Sequence, residues 1–309
     1  MSTSKIFWIH ALTPLHVGSG RGLGYIDLPI TREKVTHWPY IPGSAIKGVF
    51  ADSHGAADDQ NRNDENAAAF GKPGDVSSNA GSLVFTDARI VCLAVRSVFG
   101  TFAWCTAPMV LKRLKRDGIL DYADDIVIPD EKQAIVPGFN EPNMQSKLVN
   151  SGCIYLEDLD LQAHSDAADI TGIAQYIAQN VFPDNNWQNL FKERFVVVHD
   201  DLFAFLSETG TEVAAHIRID PDTKTTSRGS LRYEESLPAE SILAGTVWCD
   251  KVWREKENSE IECTPPKLLN AFCSGEKILQ FGGKASTGKG RVRCIFPTRR
   301  EGGEHDQNS

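Results

Sequence analysis

Thr13-Pro14-Leu15-His16-Val17-Gly18-Ser19-Gly20 opens the stretch on which the reading of this chain turns. A glycine-broken turn through Arg21 leads into Tyr25-Ile26-Asp27-Leu28-Pro29-Ile30. The stretch closes with Tyr40-Ile41-Pro42-Gly43-Ser44-Ala45-Ile46-Lys47-Gly48-Val49-Phe50. The last segment has the chemistry of a helix start that faces an anion. Pro42-Gly43 ends an extended run, Ser44 is the expected N-cap, and Ile46, Val49 and Phe50 supply a buried face at helical spacing. Free amides of a first helical turn attract phosphate, and Lys47 adds a full positive charge there. An ordinary capped helix accounts for the same residues, because N-cap serines are common.

Charge is unevenly spread. The chain carries a formal net charge of −9, yet residues 281–300 hold Lys284, Lys289, Arg291, Arg293, Arg299 and Arg300 with no acid. Residues 1–50 hold five basic side chains against two acidic ones. The acids gather in 52–75 and in 117–131, which reads as solvated charge. Attraction to phosphate acts over about a Debye length of ~10 Å, so a basic groove on an acidic body is compatible with nucleic-acid binding. The seven cysteines never stand closer than ten residues apart, which excludes CxxC-type zinc knuckles and suggests reduced, buried thiols. No apolar run approaches bilayer length and no signal peptide is recognisable. A membrane partner is therefore not expected.

Outward from the opening stretch, the remaining pattern mixes strands and helices. Strand character is read at 6–12, 83–95, 153–161, 195–199, 213–219, 242–252 and 291–296. Helices are read at 106–117, 166–182, 201–206 and 266–272. Residues 55–80 lack steady periodicity and read as a long mobile connection, 117–150 as an acidic insertion, and 301–309 as a frayed tail. The fold class expected is α+β, in one domain over 1–309. The six tryptophans are scattered and read as core, while Tyr25 and Tyr40 flank the proposed groove.

Gly283-Lys284-Ala285-Ser286-Thr287-Gly288-Lys289 matches the opening of a Walker A loop. It fails at Gly290, where a magnesium-binding Ser or Thr is required, and the following RVRCIF alternates like a strand instead of opening a helix. A glycine-rich loop that lets an RNA backbone approach, with Lys284, Lys289 and Arg291 on phosphates, fits better. Asp27, alone in an apolar run, reads by itself as a turn residue.

The order LHVGSG, GYIDLPITRE, YIPGSAIKGVF, then the blocks from Ala80 to Leu114, Phe195 to Phe205, Thr211 to Pro238 and Ile278 to Val292, resembles the RAMP superfamily of CRISPR-associated proteins. More narrowly, it is similar to the repeated backbone subunits of type III-B (Cmr) effector complexes. That resemblance implies a ferredoxin-like or RRM-like palm with insertions and a β-hairpin thumb over 212–238. It implies guide CRISPR RNA, complementary target RNA, further copies of the chain and other Cmr subunits as partners, in the cytoplasm. Asp27 then occupies the place of the RNA-cleaving residue, with a divalent metal (Mg2+, or Mn2+) held partly by it. Cleavage would run by attack of a ribose 2′-hydroxyl on the adjacent phosphate.

Under the resemblance His16 orients the phosphate or pairs with Asp27; a histidine packed under the glycine loop is the equal alternative. Glu234 or Glu235 assists at the site, or pairs structurally with a lysine. RNA contacts are expected from Gly18, Gly20, Arg21, Gly43, Ser44, Lys47, Arg218, Lys224, Gly283, Lys284, Gly288, Lys289, Gly290 and Arg291. Two other readings stay open: a guide-binding scaffold without cleavage, and a stand-alone guide-processing ribonuclease.

Overall fold

Strand β1 (Thr3–Ala11) alternates so that Phe7 and Ile9 enter one apolar cluster and Trp8 enters another, all fully buried. A strand covered on both faces belongs at the centre of a sheet, and each such side chain contributes roughly 1.5–3 kcal/mol of burial. The computed structural model describes residues 3–20, 22, 24–55, 64–72, 79–121, 126–138, 145–166, 169–227, 229–253 and 263–297.

The chain continues through β2 (Tyr40–Ile41), α1 (Gly43–Ser53), α2 (Asp64–Phe70), β3 (Gly71–Lys72), β4 (Asn79–Ala80), β5 (Val84–Phe85), β6 (Ala88–Arg96) and β7 (Phe102–Thr106). Next come α3 (Pro108–Arg116), β8 (Gln133–Pro137), β9 (Cys153–Leu156), β10 (Leu159–Asp166), α4 (Asp169–Val181), α5 (Asn185–Lys192), β11 (Phe195–Val198) and α6 (Asp200–Thr209). It ends with β12 (Glu212–His216), β13 (Arg232–Ser236), β14 (Ile242–Cys249), α7 (Pro265–Phe272), β15 (Gly275–Gln280) and β16 (Arg291–Phe296).

Among the described residues one twelve-stranded sheet runs β15-β16-β1-β14-β6-β7-β11-β8-β10-β9, with β2 beside β6 and β5 beside β14. Pairing is antiparallel except for β7 with β11 and β8 with β10, so the sheet is mixed. Seven helices accompany it among the described residues. None of them is long and apolar enough to cross a membrane. β12 and β13 form a separate two-stranded ribbon, in register from Glu212↔Ser236 to His216↔Arg232.

Local chemistry explains several boundaries. Pro108 opens α3, Val110, Leu111 and Leu114 are buried, and Arg113, Lys115 and Arg116 sit in its last turn where the helix dipole favours cations. Asp184 caps α5 by accepting the N–H groups of Asn186 and Trp187.

Five expectations need revision. Ser44 is exposed inside the first turn of α1 and is not its cap; Pro42 precedes the helix, and the Gly43 N–H is taken by the Asp87 carboxylate at 2.8 Å. Within 55–80, α2 and a short β3–β4 hairpin form because Phe70 packs edge-on against Phe272. The single strand expected over 153–161 is a hairpin, turned at Glu157 with φ +49°. Trp8, Trp38 and Trp104 are core, but Trp187 and Trp253 are exposed. Within the acidic stretch 117–150, β8 lies inside the sheet between β11 and β10. The tail 301–309 lies outside the described residues.

Candidate functional site

The described residues of 13–32 do not form regular strands, yet several backbone hydrogen bonds fix their path. Leu15 exchanges both backbone hydrogen bonds with Leu237, at 2.8 and 2.9 Å. Thr31 donates to the Val17 carbonyl and Ser19 to that of Pro29, closing the segment on itself. Leu28 then lies along β13, its N–H donating to the Tyr233 carbonyl and its carbonyl accepting from the Glu235 N–H, both at 3.0 Å. The DLPI segment is thereby laid against the base of the ribbon.

The glycine-rich loop after β15 docks onto the same place. Gly283 N–H donates to the His16 carbonyl at 3.0 Å and Gly290 N–H to that of Pro14 at 2.8 Å. Gly282 has φ +71° and sits where a Cβ would collide with the His16 carbonyl, so only glycine fits. Lys284 adopts φ +68° as the loop enters a single 3-10 turn, Ala285–Thr287. No α-helix follows, which excludes a P-loop as the sequence break at Gly290 already implied.

Asp27 is exposed, and its Oδ2 accepts the Tyr233 backbone N–H at 2.7 Å. His16 is buried and does not pair with Asp27: its Nδ1–H donates to the Glu235 carbonyl at 2.6 Å, which leaves Nε2 as the acceptor nitrogen when the ring is neutral. The His16 ring packs against Gly18 and reaches Gly283, so the histidine lies under the glycine loop.

The two glutamates have different surroundings. Glu235 accepts from the Ile30 N–H at 2.9 Å, from the Thr211 hydroxyl at 2.9 Å and from the Arg32 guanidinium. Arg32 also donates to the carbonyls of Ser207 and His37. Glu235 thus ties the Asp27 segment, the end of α6 and the ribbon into one knot. Glu234 is equally buried and faces Lys284 and Lys289, each at 3.1 Å, with His216 Nε2 at 3.9 Å. Burial alone would push Glu234 up, but the ammonium groups of Lys289 and Lys284 outweigh it and hold the carboxyl below the ordinary glutamate range.

The base of the ribbon therefore brings together Asp27, His16, Glu234, Glu235, Gly18, Gly283, Lys284, Lys289 and Gly290. Gly20 and Gly288, both at positive φ, border open space. Arg291 holds its backbone against Leu12 and Thr13 and exposes its side chain. Other expected contacts sit on other elements. Gly43, Ser44 and Lys47 belong to the start of α1, where Lys47 is half-buried and burial lowers its ammonium below the ordinary lysine range. Arg218 and Lys224 belong to the loop at the far end of the ribbon and are exposed. Arg21 lies outside the described residues. Arg32 and the Tyr233 N–H were missed from sequence: Arg32 was counted only as charge, and a backbone donor has no signature in composition.

A cation would find the exposed Asp27 carboxylate here. Glu234 and Glu235 are already engaged, and among the described residues no three His, Cys, Asp or Glu side chains converge as a metal-binding group. One or two carboxylates completed by phosphate oxygens and water suffice for Mg2+, so the Asp27 carboxylate fits a cation whose other ligands come from a bound phosphate and water.

The model of the RAMP superfamily matches residues 8–293, and the chain belongs to that superfamily. Within it, the chain is similar to the CRISPR system Cmr endoribonuclease Cmr4 of Pyrococcus furiosus, 29% identical over 303 residues that span 96% of this chain and 97% of the relative. The fold is that of oligomeric Cmr4 from Pyrococcus furiosus, with a TM-score of 0.68 at 24% identity, over 96% of this chain and 99% of that one. A chain of the type III-B Cmr-beta complex bound to cognate target RNA superposes with a TM-score of 0.69 at 20% identity, over 95% and 97% of the two chains. The resemblance read from the sequence motifs is thereby confirmed.

Proposed function

We propose that this chain is a repeated backbone subunit of a type III-B CRISPR ribonucleoprotein that cuts complementary target RNA at Asp27. The observation that carries the reading is the exposed Asp27 carboxylate, fixed by the Tyr233 N–H beside two docked glycine-rich loops, in a chain so similar to a Cmr endoribonuclease. In this reading several copies line up head-to-tail on one guide RNA with other Cmr subunits, in the cytoplasm. Base pairing to the guide selects the target, while the protein grips backbone and shape.

The large sheet serves as the palm and the β12–β13 ribbon as the thumb. Val213, Ile217, Leu231 and Tyr233 leave an apolar side of the ribbon exposed, suited to wedging against bases. Displacing a nucleotide frees its backbone to reach in-line geometry. The 2′ oxygen then bonds to phosphorus as the bond to the 5′ oxygen breaks, leaving a 2′,3′-cyclic phosphate and a 5′-hydroxyl. Asp27 would hold a divalent cation, Mg2+ or Mn2+, which would supply charge neutralisation at the phosphate. The Tyr233 N–H aims the Asp27 carboxylate, and the basic glycine loop attracts the strand.

The test uses the reconstituted complex with a guide, an end-labelled complementary RNA and magnesium, comparing wild type with Asp27→Asn. A ladder of regularly spaced products, lost in the variant while guide binding persists, is expected. No ladder from an intact wild-type complex makes the chain a scaffold. Cutting of precursor guide RNA by the isolated chain makes it a processing nuclease.

A further inference from the structure

Three ionisable side chains converge on Glu234 from two different segments. Lys284 and Lys289 come from the glycine-rich loop, and His216 comes from the facing strand β12. The Glu234 side chain is 1% exposed, and neither of its oxygens nor His216 Nε2 makes a directed hydrogen bond among the described residues. The carboxylate is held by charge. Its two lysines are not equivalent. Lys289 is 15% exposed and donates to the Ser236 hydroxyl at 2.8 Å, so β13 holds it at two points. Lys284 is 29% exposed, stands in the left-handed conformation at the loop's turn, and has Glu234 as its ion-pair partner.

Glu234 also follows Tyr233, whose N–H holds Asp27. One dipeptide of β13 therefore fixes both the exposed carboxylate and the basic loop. We infer that Glu234 is a positioning residue: it withholds the Lys289 ammonium from RNA and holds that of Lys284 in register with Asp27. The inference rests on the functional reading above. It differs from a catalytic role because the Glu234 side chain is only 1% exposed and faces the two lysines. It also divides the basic loop into one structural and one phosphate-binding lysine, which charge counting had treated alike.

Glu234→Gln keeps shape and removes the charge. Freed ammonium groups then become available to phosphate, so binding of the purified chain to a labelled single-stranded RNA tightens. The slope of log affinity against log salt steepens by about 0.7 for each ammonium released. In the assembled complex, cleavage at saturating RNA slows roughly tenfold, because a misplaced phosphate loses orientation. Glu234→Asp restores part of the rate and of the original slope.

Unchanged slope and unchanged rate in a folded Glu234→Gln chain overturn the inference, as does complete loss of cleavage without a change in binding, which marks a catalytic carboxylate. If that variant does not fold, Lys289→Gln and Lys284→Gln decide. The inference requires that only Lys284→Gln flatten the salt slope; equal flattening by both refutes it. A wild-type complex that binds but never cuts refutes the nuclease reading and is distinguishable, because the binding arm still reports on Glu234.

Discussion

Tyr233 donates its backbone N–H to the Asp27 carboxylate at 2.7 Å, across 206 positions of sequence. The bond costs the fold little and gives the exposed aspartate a fixed direction. Its removal should separate activity from stability.

Asp27→Ala should leave stability within about 0.5 kcal/mol of wild type, the usual range for an exposed position. Cleavage by the assembled complex should fall by about 10²–10³-fold, the scale of losing one electrostatic element of a transition state. Chemical denaturation and a product ladder from the same preparation check both halves. A large loss of stability would show that the carboxylate is a fold element.

Glu235 behaves in the opposite way. It is buried and engaged by Arg32, Thr211 and the Ile30 N–H. Glu235→Ala strands the Arg32 guanidinium, and breaking a buried pair typically costs about 3–5 kcal/mol. A denaturation midpoint close to wild type would contradict this account of the knot.

Glycine positions in the basic loop should differ sharply among themselves. At Gly282, φ is +71° and a Cβ would meet the His16 carbonyl, whereas at Gly288, φ is +82° with open space around it. Gly288→Ala should cost about 1–2 kcal/mol, the left-handed penalty alone. Gly282→Ala adds a backbone collision and should detach the loop, read as a larger loss of stability together with weaker RNA binding. Equal effects at the two positions would argue against the docked loop.

Acid should weaken the ribbon base. Burial opposes ionisation of Glu234, but Lys289 and Lys284 hold its folded-state value below the ordinary range. A depressed carboxyl contributes stability that is fully present above its unfolded value and is lost as pH falls through the folded one. Glu33, half-buried and pushed up by that burial yet lowered overall by Thr36, Arg113 and Arg89, has the same sign. Melting temperature should therefore drop as pH falls below the ordinary glutamate range, and Glu234→Gln should drop less over that window. Parallel curves for the two proteins would exclude Glu234 as a contributor.

Much of this architecture was legible from local pattern. The apolar run at Phe195–Val198, the Pro108 helix entry and the alternation of RVRCIF each read correctly, because burial and backbone preference agreed there. What escaped depended on distant partners. The start of α1 is capped by Asp87, 44 positions away, so Ser44 was credited with a task it does not perform. The turn at Glu157 carries no glycine or proline, and alternation ran through it unbroken. For the candidate site, the motifs singled out Asp27 and the basic loop, which the fold brings to the same end of the ribbon. They gave no way to foresee that adjacent Glu234 and Glu235, on opposite sides of a strand, would both be covered at the ribbon base.

The position of β1 has a consequence for how the protein is made. Its partners, β14 and β16, come from residues 242–249 and 291–296, so β1 is completed only by strands made much later. Until then the Ile6-Phe7-Trp8-Ile9 segment has neither neighbour, an aggregation-prone condition for a nascent chain. The same closure brings Pro14 and His16 onto Gly290 and Gly283. A translation product that stops short of Gly283 has Asp27 but lacks the basic loop that docks beside it.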